Sequence, residues 1–193
     1  MMTTLAKALA RSAAALGILA SLSACGQAPI IVDANTDTPI VRITDHDAFD
    51  SSEIFDGDAR VTTVDELNTM LAYSRINGNL TIAAPLLKEI VWPNLRRVDG
   101  FLWIWKNQEL EYFDLSGLKQ VSGMLLIREN NRLTDFDLSA LNLIGGGLSV
   151  VYNDTLSDCR IDELRETIGE TNIAEGVTAT DNLSQPGCGD DKR

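Results

Sequence analysis

Between Val98 and Leu164 the apolar positions recur on a fixed period. Val98, Gly100, Leu102, Ile104, Asn107, Leu110, Phe113, Leu115 and Leu118 return 23 residues later as Val121, Gly123, Leu125, Ile127, Asn130, Leu133, Phe136, Leu138 and Leu141. They return again as Ile144, Gly146, Leu148, Val150, Asn153, Leu156, Cys159, Ile161 and Leu164. Within each unit, Gly-x-Leu-x-Ile alternates with a period of two, the signature of a strand with two inward side chains. The later Leu, Phe, Leu and Leu positions turn the chain around a narrow apolar centre. A single rung cannot bury its own apolar face. Stacked at about 4.8 Å, neighbouring rungs pair in parallel and bury one another's leucines, at roughly 1.5 to 3 kcal/mol per side chain. The pattern predicts a mainly β, parallel β-solenoid.

Both flanks of the repeat depart from it. An earlier copy, Ile76, Gly78, Leu80, Ile82, Leu87, Ile90, Trp92 and Leu95, is one residue shorter and carries Ala83-Ala84-Pro85 near the asparagine position. Before it, Arg60 to Thr63 reads as a strand, and Val64 to Ser74 places Leu67, Met70 and Leu71 at helical spacing. This pair is expected to cap the apolar end of the stack. At the other flank, the repeat fades at Cys159 into a predicted helix, Asp162 to Ile168. A closing strand follows, with Val177, Ala179 and Asn182. The column Asn107, Asn130, Asn153 and Asn182 is expected to bond turn backbone groups inside the stack.

The first residues belong to a different class. Lys7 and Arg11 precede an acid-free apolar run from Ser12 to Ala24, shorter than the roughly 20 residues a spanning helix needs. Residues 1–24 read as a signal peptide. Leu22-Ser23-Ala24-Cys25 resembles the bacterial lipobox, and that resemblance implies that Cys25 carries a diacylglyceryl thioether and acyl chains such as palmitate. Two or three chains anchor stably, at about 0.8 kcal/mol per buried CH2. Gly26 stands where an inner-membrane retention aspartate would, so the resemblance favours a bacterial cell-envelope lipoprotein on the outer membrane, facing the periplasm or the outside. Residues 25–58 then read as the lipidated N-terminus and an acidic tether. Its Asp45, His46, Asp47, Asp50, Glu53, Asp56 and Asp58 lack the ligand spacing of an EF-hand loop. No metal or cofactor is expected.

Charge narrows the partners. The chain has 16 basic and 28 acidic residues, a formal charge of -12, and loss of Lys7 and Arg11 with the signal makes the remainder more acidic still. Such a surface disfavours nucleic acid. Cys159 and Cys188 remain as an even pair in a compartment that permits disulfides, and are expected to bond.

The Gly-x-Leu-x-Ile-x-x-Asn rungs, the capping strand and helix, and the closing cysteines together resemble the receptor L-domain, a leucine-rich-repeat relative found in insulin- and EGF-receptor ectodomains and in bacterial lipoproteins. The resemblance covers residues 59–188, leaves 189–193 as a tail, and implies a right-handed β-solenoid with a helical N-terminal cap and a disulfide-closed C-terminal cap. The receptors' cysteine-rich modules are missing, so a hormone-receptor role does not follow.

Candidate chemistry is sparse. His46 is the single histidine and falls in the tether, so a histidine-based triad or metal site within the repeats lacks its parts. Asp114 and Asp137 share one repeat position about 5 Å apart, a spacing that suits a retaining glycosidase pair. Both also belong to a repeated Phe-Asp-Leu-Ser corner, with Arg160 in the same column one unit on, which reads as a solvated turn ladder. The outward strand positions are more informative. Phe101, Trp103 and Trp105, then Met124, Leu126 and Arg128, then Ser149 and Val151, form an apolar and aromatic patch. It could take a protein or glycan ligand, be covered by the tether, or pair with a second copy. The expected function is a membrane-anchored, non-enzymatic binding or adhesion module using this face. The alternatives are a passive or self-assembling envelope protein and, less well supported, a carbohydrate-active enzyme using Asp114 and Asp137.

Overall fold

The structure, a computed structural model, describes residues 53–184. The signal segment, Cys25, the tether up to residue 52 with His46, Cys188 and the tail lie outside the described residues.

The chain winds in successive turns, each contributing one strand to each of two or three faces. The first turn holds β1 (Ile54–Asp56), β2 (Ala59–Val61) and the helix α1 (Val64–Met70). The second holds β3 (Arg75–Asn77), β4 (Leu80–Ile82) and β5 (Glu89–Val91), and the third β6 (Arg97–Val98), β7 (Leu102–Trp105) and β8 (Tyr112–Asp114). Next come β9 (Gln120–Val121), β10 (Leu125–Arg128) and β11 (Asp135–Asp137), then β12 (Leu143–Ile144), β13 (Leu148–Val151) and the helix α2 (Asp158–Ile168). A 3-10 turn, Glu170–Asn172, leads to β14 (Val177–Thr180). The strands assemble into a first sheet β1-β3-β6-β9-β12, a second β2-β4-β7-β10-β13-β14 and a third β5-β8-β11. Every pairing between them is parallel. The protein is a β-solenoid.

Register follows the sequence period. Leu102 pairs with Leu125 and Leu125 with Leu148, with Ile104, Ile127 and Val150 beside them, and all six are buried. The spacing is 21 residues from β2 to β4, 22 from β4 to β7, then 23 twice, and 29 from β13 to β14, where α2 is inserted. Phe113 and Phe136 stack in the third sheet with ring centroids 5.4 Å apart. Close stacking excludes side chains at the glycine corner. A Cβ on Gly123 would meet the carbonyl carbon and oxygen of Gly100 at 2.9 Å.

The asparagine column lies inside the stack, with Asn107, Asn130 and Asn153 fully buried. Each Nδ2 donates to a strand carbonyl of an earlier turn: Asn107 to Ile82, Asn130 to Ile104, Asn153 to Ile127 and Asn182 to Val150. Each Oδ1 accepts a backbone N–H, from Ala84 at Asn107 and from the preceding asparagine at Asn130, Asn153 and Asn182. Without these bonds the turns would bury unpaired peptide groups.

Three boundaries differ from the sequence expectation. Ile54–Asp56, read as tether, is a strand of the first sheet opposite Arg75–Asn77, so the solenoid reaches back to residue 54. The first helix stops at Met70, four residues before Ser74. It begins with a capping box in which Thr63 accepts from the Glu66 N–H and Glu66 accepts from the Thr63 N–H. The second helix starts at Asp158, not Asp162, because the Ser157 side chain accepts the Cys159 N–H and caps it there. Cys159 therefore begins a helix where Phe113 and Phe136 occupy strands, and the third sheet ends at β11.

Candidate functional site

Strand β7 has the sequence Leu-Trp-Ile-Trp, and its alternation sends Leu102 and Ile104 into the core and Trp103 and Trp105 outward. Pairing fixes their neighbours. Trp103 lies between Thr81 and Leu126, and Trp105 lies beside Arg128, which in turn borders Val151. The Phe101 ring stacks on Trp103 with centroids 4.1 Å apart and planes 21° from parallel. The Lys106 ammonium sits 4.6 Å from the centre of the Trp105 ring. Met124 is exposed at the edge of the patch, and Leu126 and Ser149 are half-buried.

Val151 does not belong to the open surface. It is only 8 % exposed, held between Arg128 and Thr180 on the adjoining strands, and beyond it β14 presents exposed Thr178 and Thr180. The apolar strip thus runs along β7 and β10 and gives way to threonines.

Sequence reasoning missed the corner that borders this strip. Lys106, Glu129, Tyr152 and Asp181 each precede a ladder asparagine, and each has a left-handed backbone, with φ between 54° and 59°. That conformation swings their side chains to one edge of the sheet. There Glu129 pairs with Arg128 at 2.7 Å and with Lys106 at 3.9 Å, and the Arg128 guanidinium lies 5.2 Å from the exposed Tyr152 ring. The available signal was position: a residue directly before a buried, doubly bonded asparagine has little freedom in its backbone.

The indole nitrogens of Trp103 and Trp105 are shielded from solvent and have no hydrogen-bond acceptor among the described residues. The fully buried Trp92, by contrast, donates to the Tyr73 carbonyl at 3.1 Å. An unsatisfied donor of this kind costs about 1 to 3 kcal/mol. No protein-family model matches the chain, and no curated protein matches it.

The carboxylate pair has a structural occupation. Asp114 and Asp137 are register partners on β8 and β11; Asp114 Oδ1 accepts the Ser116 N–H at 2.8 Å, and Asp137 Oδ1 accepts the Ser139 N–H at 2.9 Å. Each carboxylate closes its own turn. Arg160 leaves their column. From the first turn of α2 it donates to Asp135 Oδ1 and the Phe136 carbonyl, pairs with Glu163, and lies over the Phe136 ring. A shallow open depression beside it is lined by Asp137, Ser139, Glu163 and Glu166. Among the described residues no group of three His, Cys, Asp or Glu is placed to hold a metal ion, and no helix is long and apolar enough to cross a membrane.

Proposed function

We propose that the chain is an exported, lipid-anchored envelope protein and a non-enzymatic binding module, with the outer face of the second sheet as its recognition surface. The observation that carries this reading is the aromatic strip of Phe101, Trp103 and Trp105 along one rung of a hydrogen-bonded wall. Rigid aromatic side chains supply contact area at low entropic cost. Two indole donors without acceptors add a specific demand. A partner offering hydroxyl or carbonyl oxygens, after a small rotation of either ring, recovers the energy of both. The turn-closing role of Asp114 and Asp137 supports the non-enzymatic part of the reading.

The test is a glycan array and a crosslinking screen on intact cells with the full chain and a Trp103→Ala/Trp105→Ala chain. Retained ligands lost in the double variant, with thermal stability unchanged, support the reading; an unchanged partner profile removes the strip from recognition. Hydrolysis of a glycan abolished by Asp137→Asn would favour the enzymatic alternative.

The envelope location rests on the lipobox resemblance of Leu22 to Cys25. Mass spectrometry of the mature N-terminus reads it directly, expecting a diacylglyceryl-modified Cys25. The capping roles belong to the same reading. α1 takes in the first turn the place in chain order that β5, β8 and β11 take later, as α2 does in the last. A Cys159–Cys188 bond would fasten α2 to the closing segment. A loop of that length contributes about 3.5 to 4 kcal/mol by chain entropy. The resemblance of the Gly-x-Leu-x-Ile-x-x-Asn rungs to the receptor L-domain supports this reading.

A further inference from the structure

The first and third sheets carry opposite charge. On the outer side of the first sheet Arg75 and Arg97 occupy one register column, and Arg96 and Lys119 stand exposed at the corner leading into it. Asp99 is shared by both column arginines, at 2.6 Å from Arg75 and in direct contact with Arg97. Arg97 also donates to Gln120 at 2.7 Å and reaches Ser122, so its guanidinium is held along the sheet and across the next rung. Two cations thus flank one carboxylate, and two more stand at the adjoining corner. Exposed Ile54 and Leu143 stand at the two ends of the same column.

The third sheet is the reverse. Its outer columns are Glu89, Tyr112, Asp135 and Val91, Asp114, Asp137, of which Asp135 is already paired with Arg160. Asp114 and Asp137 form no ion pair with the described residues beyond their turn bonds. The field of this face is visible at Tyr112. Burial, then the charges of Asp114, Asp137, Asp135 and Glu89, push its phenol above the ordinary value.

We propose that the outer face of the first sheet docks on the outer face of the third sheet of a second copy, giving a head-to-tail lateral array. Both faces belong to one solenoid, so both repeat at the same rung height of about 4.8 Å. Cations on successive rungs therefore meet carboxylates on successive rungs without a mismatch accumulating. Because two different patches meet, the contact is heterologous and propagates beyond a dimer. At physiological salt the screening length is about 8 Å, which mutes the repulsion between two acidic molecules and leaves contact pairs in force. A face of three rungs is small, so each contact is weak and assembly rises with concentration. This inference uses neither the aromatic strip nor the lipid anchor, and its failure leaves the binding reading untouched.

Sedimentation velocity tests it on the full chain carrying Cys25→Ser, so that no anchor gathers the copies, at about 0.15 M salt. The expected result is a weight-average sedimentation coefficient that rises with concentration past that of a dimer. The Arg96→Gln/Lys119→Gln chain and the Asp114→Asn/Asp137→Asn chain each stay monomeric alone. Their equimolar mixture forms a dimer and stops, because each retains one intact face. Asparagine keeps the turn-closing oxygen, and circular dichroism checks both folds. Should the aspartate variant misfold, carbodiimide coupling of mixed 15N-labelled and unlabelled chains replaces it, with intermolecular Lys119–Asp137 links expected and at least fivefold fewer at 0.5 M salt. Variants that assemble like the parent overturn the proposal. So does a parent that remains monomeric while vesicles of anionic lipid bind its arginine face.

Discussion

Asn130 Oδ1 accepts two hydrogen bonds from Asn107, one from its backbone N–H at 3.1 Å and one from its side-chain amide at 2.9 Å. Two neighbouring turns are joined through one oxygen in a fully buried position. Truncation at Asn130 leaves the Asn107 N–H and the Ile104 carbonyl without those partners. Asn130→Ala is expected to cost about 2 to 4 kcal/mol, since each buried orphan costs about 1 to 3. Asn182→Ala, at the half-buried end of the column, should cost less. Urea midpoints of the two variants against the parent measure the difference.

The glycine corner gives a steric prediction with an internal control. Gly123→Ala forces a Cβ against the Gly100 backbone at 2.9 Å, whereas at Gly147 the nearest atom lies 3.6 Å away. Overpacking of this kind costs about 1 to 3 kcal/mol. Gly147→Ala should change the melting temperature little, and Gly123→Ala should lower it clearly.

Left-handed backbone at Glu129 sets a third expectation. Its φ is 54°, and its ion pair with Arg128 is partly exposed and worth little. Glu129→Gly is expected to raise stability by about 0.5 kcal/mol through relief of the conformation, while Glu129→Val should lower it by about 1 kcal/mol or more. Thermal unfolding of the pair reads the sign.

Acid should act partly through Asp99. Burial pushes its carboxyl up, but hydrogen bonds and charge from Arg97 and Arg75 outweigh this and hold it below the usual carboxylate range. A folded-state pKa below the unfolded one, which is about 3.9, gives stability that is full above that value and lost as pH falls through the folded pKa. Urea midpoints measured from pH 6 downward should therefore fall in the acid limb, and the limb should be shallower in Asp99→Asn. An identical limb in that variant would show that other carboxylates carry the effect.

Much of this architecture can be read from residue order because stacking imposes it. Leu102, Leu125 and Leu148 pair in register since a 23-residue period permits no other alignment that buries all three. Asn107, Asn130 and Asn153 were legible for the same reason. The short elements were not. Ile54–Asp56 has three residues beside Gly57, too few for periodicity to separate a strand from a linker, and it is defined by its partner Arg75–Asn77. At the site, alternation located Trp103 and Trp105, but burial of Val151 depends on the lateral neighbours Arg128 and Thr180, which a single strand does not reveal. The acceptor-less indoles and the Lys106, Glu129 and Tyr152 corner required backbone angles and hydrogen bonds.

Constant spacing over the middle turns makes the molecule a ruler. Its height changes only in increments of one rung, about 4.8 Å, while the chemistry of each side is preserved. Duplicating residues 101–123 would lengthen every side equally and add one more Phe101-to-Lys106 segment's worth of wall. A partner spanning several rungs would then measure the protein by how many steps it offers, so the number of units, as much as their composition, is a quantity on which selection can act.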